Sequence, residues 1–285
     1  MRPIFAFRPR DKSLQLGERT RVMGVVNITP DSFSDGGCFF EPAQAIERSL
    51  QLVEEGADVL DLGGESSRPG AAPVPVEQEL ERVIPVLQEV RRRVSVPISV
   101  DTYKSEVARE AFRAGADIIN DISSFRLDSE MPRVVSQNQG GIVMMHMRGT
   151  PQSMQQLPPS PDILKEVHED LKTAVSMACK HGIGPDKILL DPGIGFGKTA
   201  QDNLRIINQL PYFGDLNLPI LIGTSRKSFL GKILDLPVDQ RLFATAASVA
   251  VSIIKGAHVV RVHDVRPMLE VIRVTDAIVA EKCPI

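Results

Sequence analysis

The nine residues DPGIGFGKT, at positions 191–199, combine a carboxylate, three alternating glycines and a Lys-Thr pair. Glycine-rich segments ending in Gly-Lys-Thr bind nucleotide phosphates in P-loop proteins, where four residues separate the first glycine from the Gly-Lys pair. That spacing requires a glycine at position 192, which is Pro192. The spacing therefore argues against a P-loop. We instead expect Thr199 to be a helix N-cap, with Asp202 at the third helical position.

Other residue types suited to catalysis or binding stand at the ends of short apolar runs. Some of them, such as Asp121 and Asp264, are expected only to cap helices and pair with backbone groups. Capping does not explain why acids, amides and bases all occupy such positions, so we expect a functional rim. The polar residues are Asn27, Asp61, Glu65, Asp101, Asn120, Asp121, His146, Asp191, residues 224–227, Arg261, His263 and Asp264.

The apolar runs alternate with longer helix-forming segments, and this alternation indicates the fold. The eight runs are rich in β-branched residues without clean polar alternation, which is typical of parallel strands covered on both faces. Eight strand–helix units predict an α/β fold, a single (β/α)8 TIM barrel with its site at the strand carboxyl ends. An open doubly wound sheet is the alternative. The runs are residues 22–27, 58–63, 97–101, 117–121, 141–146, 187–191, 219–224 and 258–263.

Three ten-residue segments share one pattern and support the barrel. In each, a Gly-Ala pair ends a helix, a strand follows, and a polar residue stands five positions after the glycine. These polar residues are Asp61, Asn120 and Arg261. With about 31 residues per strand–helix unit, the segments correspond to the second, fourth and eighth strands of a barrel. The segments are residues 54–63, 113–122 and 254–263.

Composition argues against several classes of protein. The 33 basic and 36 acidic residues give a net charge of −3, which does not support nucleic-acid binding. The three cysteines have no zinc or disulfide spacing, and no run reaches the roughly 18 apolar residues of a membrane span. We therefore expect a cytoplasmic protein that binds neither nucleic acid nor membrane. Residues 1–21 are expected to form a capping hairpin at the barrel bottom, and residues 22–285 one barrel domain.

Two long loops follow the first and second predicted barrel strands. NITPDSFSDGG occupies residues 27–37 and GGESSRPGA residues 63–71, and both are rich in Gly, Ser, Pro and charge. Long loops at this rim are usually either lids over a ligand or disordered inserts. Because the first loop carries the aromatic Phe33 among polar residues, we expect it to close over a ligand.

Seven motifs, in order and at successive strand ends, resemble those of the dihydropteroate synthase family from residue 20 to residue 280. The resemblance implies a TIM barrel, usually a homodimer, that uses Mg²⁺. It further implies condensation of (7,8-dihydropterin-6-yl)methyl diphosphate with 4-aminobenzoate, giving 7,8-dihydropteroate and diphosphate in folate biosynthesis. The motifs are NITPDSFSDGG, GGESSRPGA, SVDTYKSEVA, NDIS, DPGIGFGKT, GTSRKSFLG and VRVHDV.

The resemblance implies a pterin site that pairs with the polar edge of a flat ring. Asp191 is expected to accept from the 2-amino group and the adjacent ring N–H, Asn120 to accept and donate beside it, and Lys227 to donate. In a dry site each unpaired group costs about 1–3 kcal/mol. For Ile122 and Met144, ordinary packing within the barrel is the alternative to contact with the ring. The predicted pterin-binding residues are Asp101, Asn120, Ile122, Met144, Asp191, Phe196, Gly223, Lys227 and Arg261.

The diphosphate is expected to lie near the last barrel strand, where Arg261 and His263 share one strand face. Asn27 would supply an oxygen to Mg²⁺, which keeps most of its waters and bridges phosphates. The predicted diphosphate-binding residues are Asn27, Ser67, Arg261 and His263, with Asn27 also the metal ligand.

The second substrate and the chemistry complete the implied site. Sulfonamides are expected to compete with 4-aminobenzoate. Its predicted binding residues are Phe33, Ser67, Arg68, Pro69 and Lys227. We expect SN1-like loss of diphosphate without a covalent enzyme intermediate, because the leaving group is good once neutralised. The predicted catalytic residues are Asp35, Asp101, Lys227 and Arg261.

Two alternatives share a pterin-binding barrel. One is a methyltetrahydrofolate-dependent methyltransferase domain, which would not need the first long loop or the Arg261–His263 pair. The other is a non-catalytic paralogue that binds pterin without turnover, and every expected functional position of this chain is filled.

Overall fold

The computed structural model describes residues 2–28, 42–68, 70–154 and 156–282. It consists of a barrel of eight parallel strands with surrounding helices, preceded by an antiparallel hairpin formed by β1 (Phe5–Phe7) and β2 (Leu14–Leu16). The barrel strands are β3 (Arg21–Asn27), β4 (Val59–Gly63), β5 (Ile98–Asp101), β6 (Ile118–Asp121), β7 (Gly141–Met145), β8 (Ile188–Asp191), β9 (Leu221–Ile222) and β10 (Val259–Val262).

The barrel strands are hydrogen-bonded in the order β8-β7-β6-β5-β4-β3-β10-β9. The two strands at the ends of that order meet through a parallel bridge between Leu190 and Ile220. The N–H of Leu190 also donates to the carbonyl of Pro219 at 3.0 Å. These contacts close the sheet into a ring, which an open doubly wound sheet does not do. The predicted TIM barrel is confirmed.

The helix Ala200–Asn208 begins where the local sequence signals place its start. The side chain of Thr199 accepts the N–H of Asp202 at 3.1 Å, and the Asp202 carboxylate accepts the N–H of Thr199 at 2.9 Å. This reciprocal cap is the predicted one. No helix in the described ranges is long and apolar enough to cross a membrane. The helices are α1 (Pro42–Glu54), α2 (Val76–Arg93), α3 (Ser105–Ala114), α4 (Met131–Gln137), α5 (Ile163–Lys180), α6 (Ala200–Asn208), α7 (Ser228–Leu234), α8 (Leu242–Ile254) and α9 (Val265–Ala280).

Alternation of side chains along the strands separates two apolar layers. Residues such as Val26 and Ile119 face outward and pack against the helices in the main core. Residues such as Met23, Ile118 and Val143 face inward and fill the lower half of the barrel. Because successive side chains of a strand point to opposite faces, a shift of one position moves a side chain from the helix layer to the barrel interior.

The N-terminal hairpin closes the bottom of the barrel, as predicted. Phe7 and Leu16 are buried in the same cluster as the inward-facing Met23 and Val143. Gly141 lies against the Phe7 ring, and a Cβ at this glycine would be 2.8 Å from Cζ of Phe7. Because side chains fill this end, a ligand is accommodated at the opposite end, where the strands have their carboxyl termini.

Candidate active site

A cavity opens at the carboxyl ends of the barrel strands. Its wall combines acidic, amide, basic and apolar side chains that come from five strands and from the segments after β6, β8 and β9. This is the end of a TIM barrel at which catalytic groups gather. The lining residues are Asp101, Asn120, Ile122, Met145, Asp191, Ile194, Phe196, Gly223, Lys227 and Arg261.

Arg261 on β10 joins two carboxylates of the barrel interior. Its Nε donates to Oδ2 of Asp61 at 2.6 Å, and its Nη2 donates to Oδ2 of Asp101 at 2.9 Å. Asp61 is fully buried, and its Oδ2 also accepts from the amide of Asn120 at 3.1 Å. The polar residues of the three repeated sequence segments, Asp61, Asn120 and Arg261, therefore meet beneath the cavity.

The acids of the cavity are shifted toward their neutral forms. Burial raises the pKa of Asp101 to about 7, although the Arg261 guanidinium favours the charged form. Burial likewise raises the pKa of Asp191, against the Gly193 N–H and the Lys227 ammonium, which lower it. Asp101 is therefore protonated more readily than a solvent-exposed carboxyl, and its protonated form can donate as well as accept a hydrogen bond.

Asp191 ends β8 and turns one oxygen toward its own loop. Its Oδ1 accepts the N–H of Gly193 at 2.7 Å, which leaves Oδ2 as the acceptor for a ligand. Gly193 has a φ of +70°, and a Cβ there would lie 1.9 Å from the carbonyl oxygen of His146. This close approach explains why the loop requires glycine. Oδ1 of Asn120 is buried and has no hydrogen-bond partner among the described residues, so it too can accept from a ligand.

Lys227 places a positive charge against the apolar wall of the cavity. Its Nζ lies 4.2 Å from the centroid of the Phe196 ring, a cation–π distance. Burial lowers the pKa of Lys227 to about 8, and Arg261 acts in the same direction. Lys227 therefore remains mainly protonated at pH 7 and can donate to a ring oxygen or nitrogen.

His263 follows β10 and is held by Ser225. The Ser225 hydroxyl oxygen accepts the backbone N–H of His263 at 3.2 Å and lies 3.0 Å from Nδ1 of the ring. Burial lowers the pKa of His263 to about 3, with Arg261 and Arg226 adding to the effect. The ring is therefore neutral at pH 7 and offers an N–H donor to a ligand.

Comparison with known proteins decides which family this barrel belongs to. The model of the pterin binding enzyme family matches residues 23–263. The dihydropteroate synthase of Synechocystis sp. is 46% identical over 263 residues, which cover 92% of this chain and 91% of the relative. The chain belongs to the dihydropteroate synthase family. The transferase function in folate biosynthesis expected from the motifs is confirmed, and the matches favour it over a methyltransferase domain.

Solved structures of dihydropteroate synthases share the whole fold. The enzyme of Xanthomonas albilineans with 4-aminobenzoic acid is 40% identical with a TM-score of 0.91, and the match covers 99% of this chain and 100% of that chain. The enzyme of Yersinia pestis in a sulfonamide drug complex is 36% identical with a TM-score of 0.91, covering 97% and 100% of the two chains. Both structures place this barrel among the dihydropteroate synthases.

The structure brings together all but one of the residues predicted for the pterin site of a dihydropteroate synthase. The exception is Met144, which faces the helices in the main core, whereas Met145 lines the cavity. The choice of methionine was therefore wrong by one position. Asn120 pairs in register with Val143, so inward-facing positions on β7 are Val143 and Met145. A shift of one residue moves a side chain to the other face of a strand.

Three residues of the site were not selected from the sequence. The sequence places Asp61 on the rim and in the repeated segments but does not predict its contact with Arg261. Met145 and Ile194 carry no polar signal, and only their position in the barrel places them on the cavity. The repeated segments could have predicted that Asp61 lies beside Asn120 and Arg261, because the three residues occupy the same position in the repeat.

The remaining predicted residues lie at the rim or outside the described ranges. Asn27 ends β3, pairs in register with Gly63 and is partly exposed. Ser67 and Arg68 lie on the segment between β4 and α2, whose Gly70 N–H donates to the carbonyl of Pro151 at 3.0 Å. Phe33, Asp35 and Pro69 fall outside the described residues.

A buried charged cluster anchors the segment between β4 and α2. The ammonium of Lys104 contacts the carboxylates of Glu65 and Glu79 and donates to the carbonyl of Val74 at 2.7 Å. The hydroxyl of Tyr103 donates to Oε1 of Glu65 at 3.0 Å, whereas Lys104 contacts Oε2 of the same carboxylate. Burial raises the pKa of Glu79, while Lys104 lowers it. The cluster ties both ends of this segment to the start of α3, and sequence reasoning did not identify it.

Proposed function

We propose that the cavity binds the pterin ring of the dihydropterin diphosphate. The observation that carries this proposal is the convergence of Oδ2 of Asp191, Oδ1 of Asn120 and the ammonium of Lys227 on one cavity. A flat heterocycle with an amino-oxo edge offers two adjacent N–H donors and an oxygen acceptor, which match two acceptors and one cation. Ile122, Met145, Ile194 and Phe196 supply the apolar walls against which the ring faces pack.

The diphosphate is proposed to lie beside Arg261 and the neutral His263. Arg261 is partly exposed toward the cavity while its carboxylate contacts fix its plane, so it can donate to phosphate without reorientation. Ser67 at the rim would add a hydroxyl. In the tautomer in which the Ser225 hydroxyl donates to Nδ1, Nε2 of His263 carries the ring proton and would donate to an anionic oxygen.

Magnesium is proposed at Asn27. The described residues contain no cluster of three or more metal-ligating His, Cys, Asp or Glu side chains. A single neutral amide at the rim fits Mg²⁺, because this ion keeps several waters and takes its other ligands from phosphate oxygens. When bound, the ion would neutralise charge that develops on the leaving diphosphate.

The reaction is proposed to begin with departure of diphosphate from the pterin methylene carbon. Arg261 would stabilise the negative charge that develops on the leaving oxygen. Asp101 lies on the same cavity, where its charged form would stabilise the cationic methylene. The neutral arylamine of 4-aminobenzoate then needs placement rather than a strong base. The catalytic role expected for Asp35 stays a prediction.

The 4-aminobenzoate subsite is proposed at the rim, between Lys227 and the segment that carries Ser67 and Arg68, with Phe33 and Pro69 as further predicted contacts. Arg68 is exposed and could pair with the carboxylate of 4-aminobenzoate. Two relatives support this substrate and its competitor, since one solved structure holds 4-aminobenzoic acid and another a sulfonamide drug. A sulfonamide is therefore expected to compete with 4-aminobenzoate for this chain.

Replacement of Asp191 by asparagine tests the pterin site. Asparagine keeps an oxygen for the Gly193 N–H but turns an amide NH₂ toward the ligand N–H groups, so the acceptor is lost and two donors meet. We expect pterin affinity to fall by about 10-fold to 150-fold, which corresponds to about 1.5–3 kcal/mol for a charged hydrogen bond. Fluorescence titration with 6-hydroxymethylpterin measures the affinity.

Asp186→Asn, at an acid that is 41% exposed, is the matched control and should leave pterin affinity unchanged. Thermal unfolding of both variants establishes that the barrel is intact. Unchanged pterin affinity in folded Asp191→Asn would refute the assignment of Asp191 as the pterin anchor.

We propose that the protein is a homodimer that associates through α8 and α9, which pack against each other. The sequence of α8, LFATAASVAVSII, contains no charged residue. Phe243, Val251 and Ile254 on α8 are exposed on one face, beside exposed Val274 and Ile278 on α9. Phe243 alone is 85% exposed. Apolar patches of this kind are rare on monomers and mark protein interfaces.

Sedimentation velocity tests the proposed dimer. The native protein is expected to have twice the mass of one chain, and the Val251→Asp variant the mass of one chain. A carboxylate buried at an apolar interface loses its hydration, so the variant should dissociate into monomers. Leu204→Asp, on the exposed face of α6, is the control and should not dissociate the dimer. A native chain that sediments as a monomer would refute the proposal. The cytoplasmic location and the single barrel domain over residues 22–285 stay predictions.

A further inference from the structure

Lys198 is a buried cation that the proposed reaction does not use. Its side chain donates to three backbone carbonyls, those of Gly193 at 2.8 Å, Phe196 at 3.1 Å and His146 at 3.2 Å. An ammonium has three N–H donors, so these contacts use all of them. Lys198 is only 8% exposed.

The three carbonyls belong to the loop behind the cavity and to the strand beside it. Gly193 and Phe196 lie near the two ends of the turn after β8, and their backbone groups also bond each other, Phe196 N–H to Gly193 carbonyl at 3.2 Å. His146 directly follows β7. The Lys198 ammonium therefore ties both ends of the turn to the neighbouring strand.

The same turn positions two groups of the cavity. The Gly193 N–H holds Oδ1 of Asp191, and the Phe196 ring forms part of the apolar wall beneath Lys227. If the turn moves away from β7, Asp191 loses its fixed orientation and the Phe196 ring leaves the wall. Errors of about 1 Å in placement suffice to lower binding and turnover by large factors.

Burial of the Lys198 ammonium costs free energy because the charge loses its hydration. Within the described part of the chain, no carboxylate lies at ion-pair distance from the Lys198 ammonium. Carbonyl oxygens offset the loss of hydration only in part, and burial accordingly lowers the pKa of Lys198 to about 7. An apolar side chain of similar length would avoid this desolvation but would leave the three carbonyl oxygens without the Lys198 donors, so the ammonium serves to hold these oxygens, and with them the turn, in place.

We propose that Lys198 is a positioning residue, which fixes the turn of residues 192–197 so that Asp191 and Phe196 face the pterin ring. The proposal rests on the pterin role assigned to Asp191 above. It gives a function to the Gly-Lys pair of DPGIGFGKT that differs from phosphate binding, because the ammonium faces backbone oxygens behind the cavity.

Lys198→Met and Thr199→Ala form a matched pair of variants that separate positioning from stability. Thr199→Ala removes the α6 cap and should lower the denaturation midpoint without changing pterin affinity. Lys198→Met keeps an unbranched side chain that reaches to Cε but removes the ammonium and its donors. We expect it to weaken binding of 6-hydroxymethylpterin by at least about tenfold, and to raise the KM for the dihydropterin diphosphate more than the KM for 4-aminobenzoate.

Pterin affinity equal to that of the native protein in folded Lys198→Met would overturn the proposal. If that variant does not fold, Lys198→Gln, which retains two N–H donors, should give an intermediate loss, and native affinity in it would overturn the proposal equally. The Asp191→Asn variant distinguishes failure of the pterin site from failure of the role proposed for Lys198. Weakened binding there with native binding in Lys198→Met refutes only the role of Lys198, whereas native binding in Asp191→Asn refutes the pterin site itself.

Discussion

Replacement of Arg261 by methionine is expected to lower kcat by about 100-fold to 1,000-fold and the free energy of unfolding by about 3–5 kcal/mol. The guanidinium is the donor that faces the leaving diphosphate in the proposed reaction. It is also the cation that Asp61 and Asp101 contact, at 2.6 Å and 2.9 Å. Its removal leaves the fully buried Asp61 carboxylate with the amide of Asn120 as its one hydrogen-bond partner among the described residues.

The double variant Asp61→Asn/Arg261→Met separates the two effects. Neutralising Asp61 removes the unpaired buried charge, so most of the lost stability should return, whereas kcat should stay low because the phosphate donor is still missing. Urea denaturation measures stability, and diphosphate release in the presence of 4-aminobenzoate measures turnover. Recovery of activity together with stability would show that Arg261 acts only through the fold.

Replacement of Lys104 by methionine is expected to lower the free energy of unfolding by about 3–5 kcal/mol. Lys104 is the cation that contacts both Glu65 and Glu79, and the Glu79 side chain is only 1% exposed. Without the ammonium, two buried carboxylates lie close together and have lost the cation that pairs with both of them. Because Glu65 starts the segment that carries Ser67 and Arg68, the KM for 4-aminobenzoate is expected to rise as well.

The loss in free energy of unfolding caused by Lys104→Met, here called the deficit, is expected to depend on pH. The pKa of Glu79 is already raised by burial, and loss of Lys104, which lowers it, raises it further. A carboxyl whose folded pKa exceeds its unfolded value is stabilising below the unfolded pKa and loses that contribution as pH rises through the folded pKa. The deficit should therefore be larger at about pH 8 than at about pH 5.

Lys165→Met is the matched control, since Lys165 contacts Glu169 at 3.8 Å with both side chains well exposed. Surface pairs contribute about 0–1 kcal/mol, so this variant should change stability little at either pH. A Lys104→Met deficit as small as that of Lys165→Met would show that the cluster beneath the β4–α2 segment does not stabilise the fold.

The sequence by itself determined the barrel, the family and most of the polar site. Each strand is a short β-branched run next to a helix with its own start and stop signals, and both signals are local in the chain. The reciprocal cap of Thr199 and Asp202 depends on residues three positions apart. The convergence of Asn120 and Arg261 could be predicted because the carboxyl ends of parallel strands meet at one rim.

Only the tertiary structure decided which side chains contact each other and which are charged. Met145, rather than Met144, lines the cavity because the register between β6 and β7 fixes the parity of the strand. The contact between Asp61 and Arg261 joins residues 200 positions apart. The neutral state of His263 and the carbonyl contacts of Lys198 follow from burial against distant segments. Charge state and pairing depend on desolvation and distance in three dimensions, which no local pattern of residues contains.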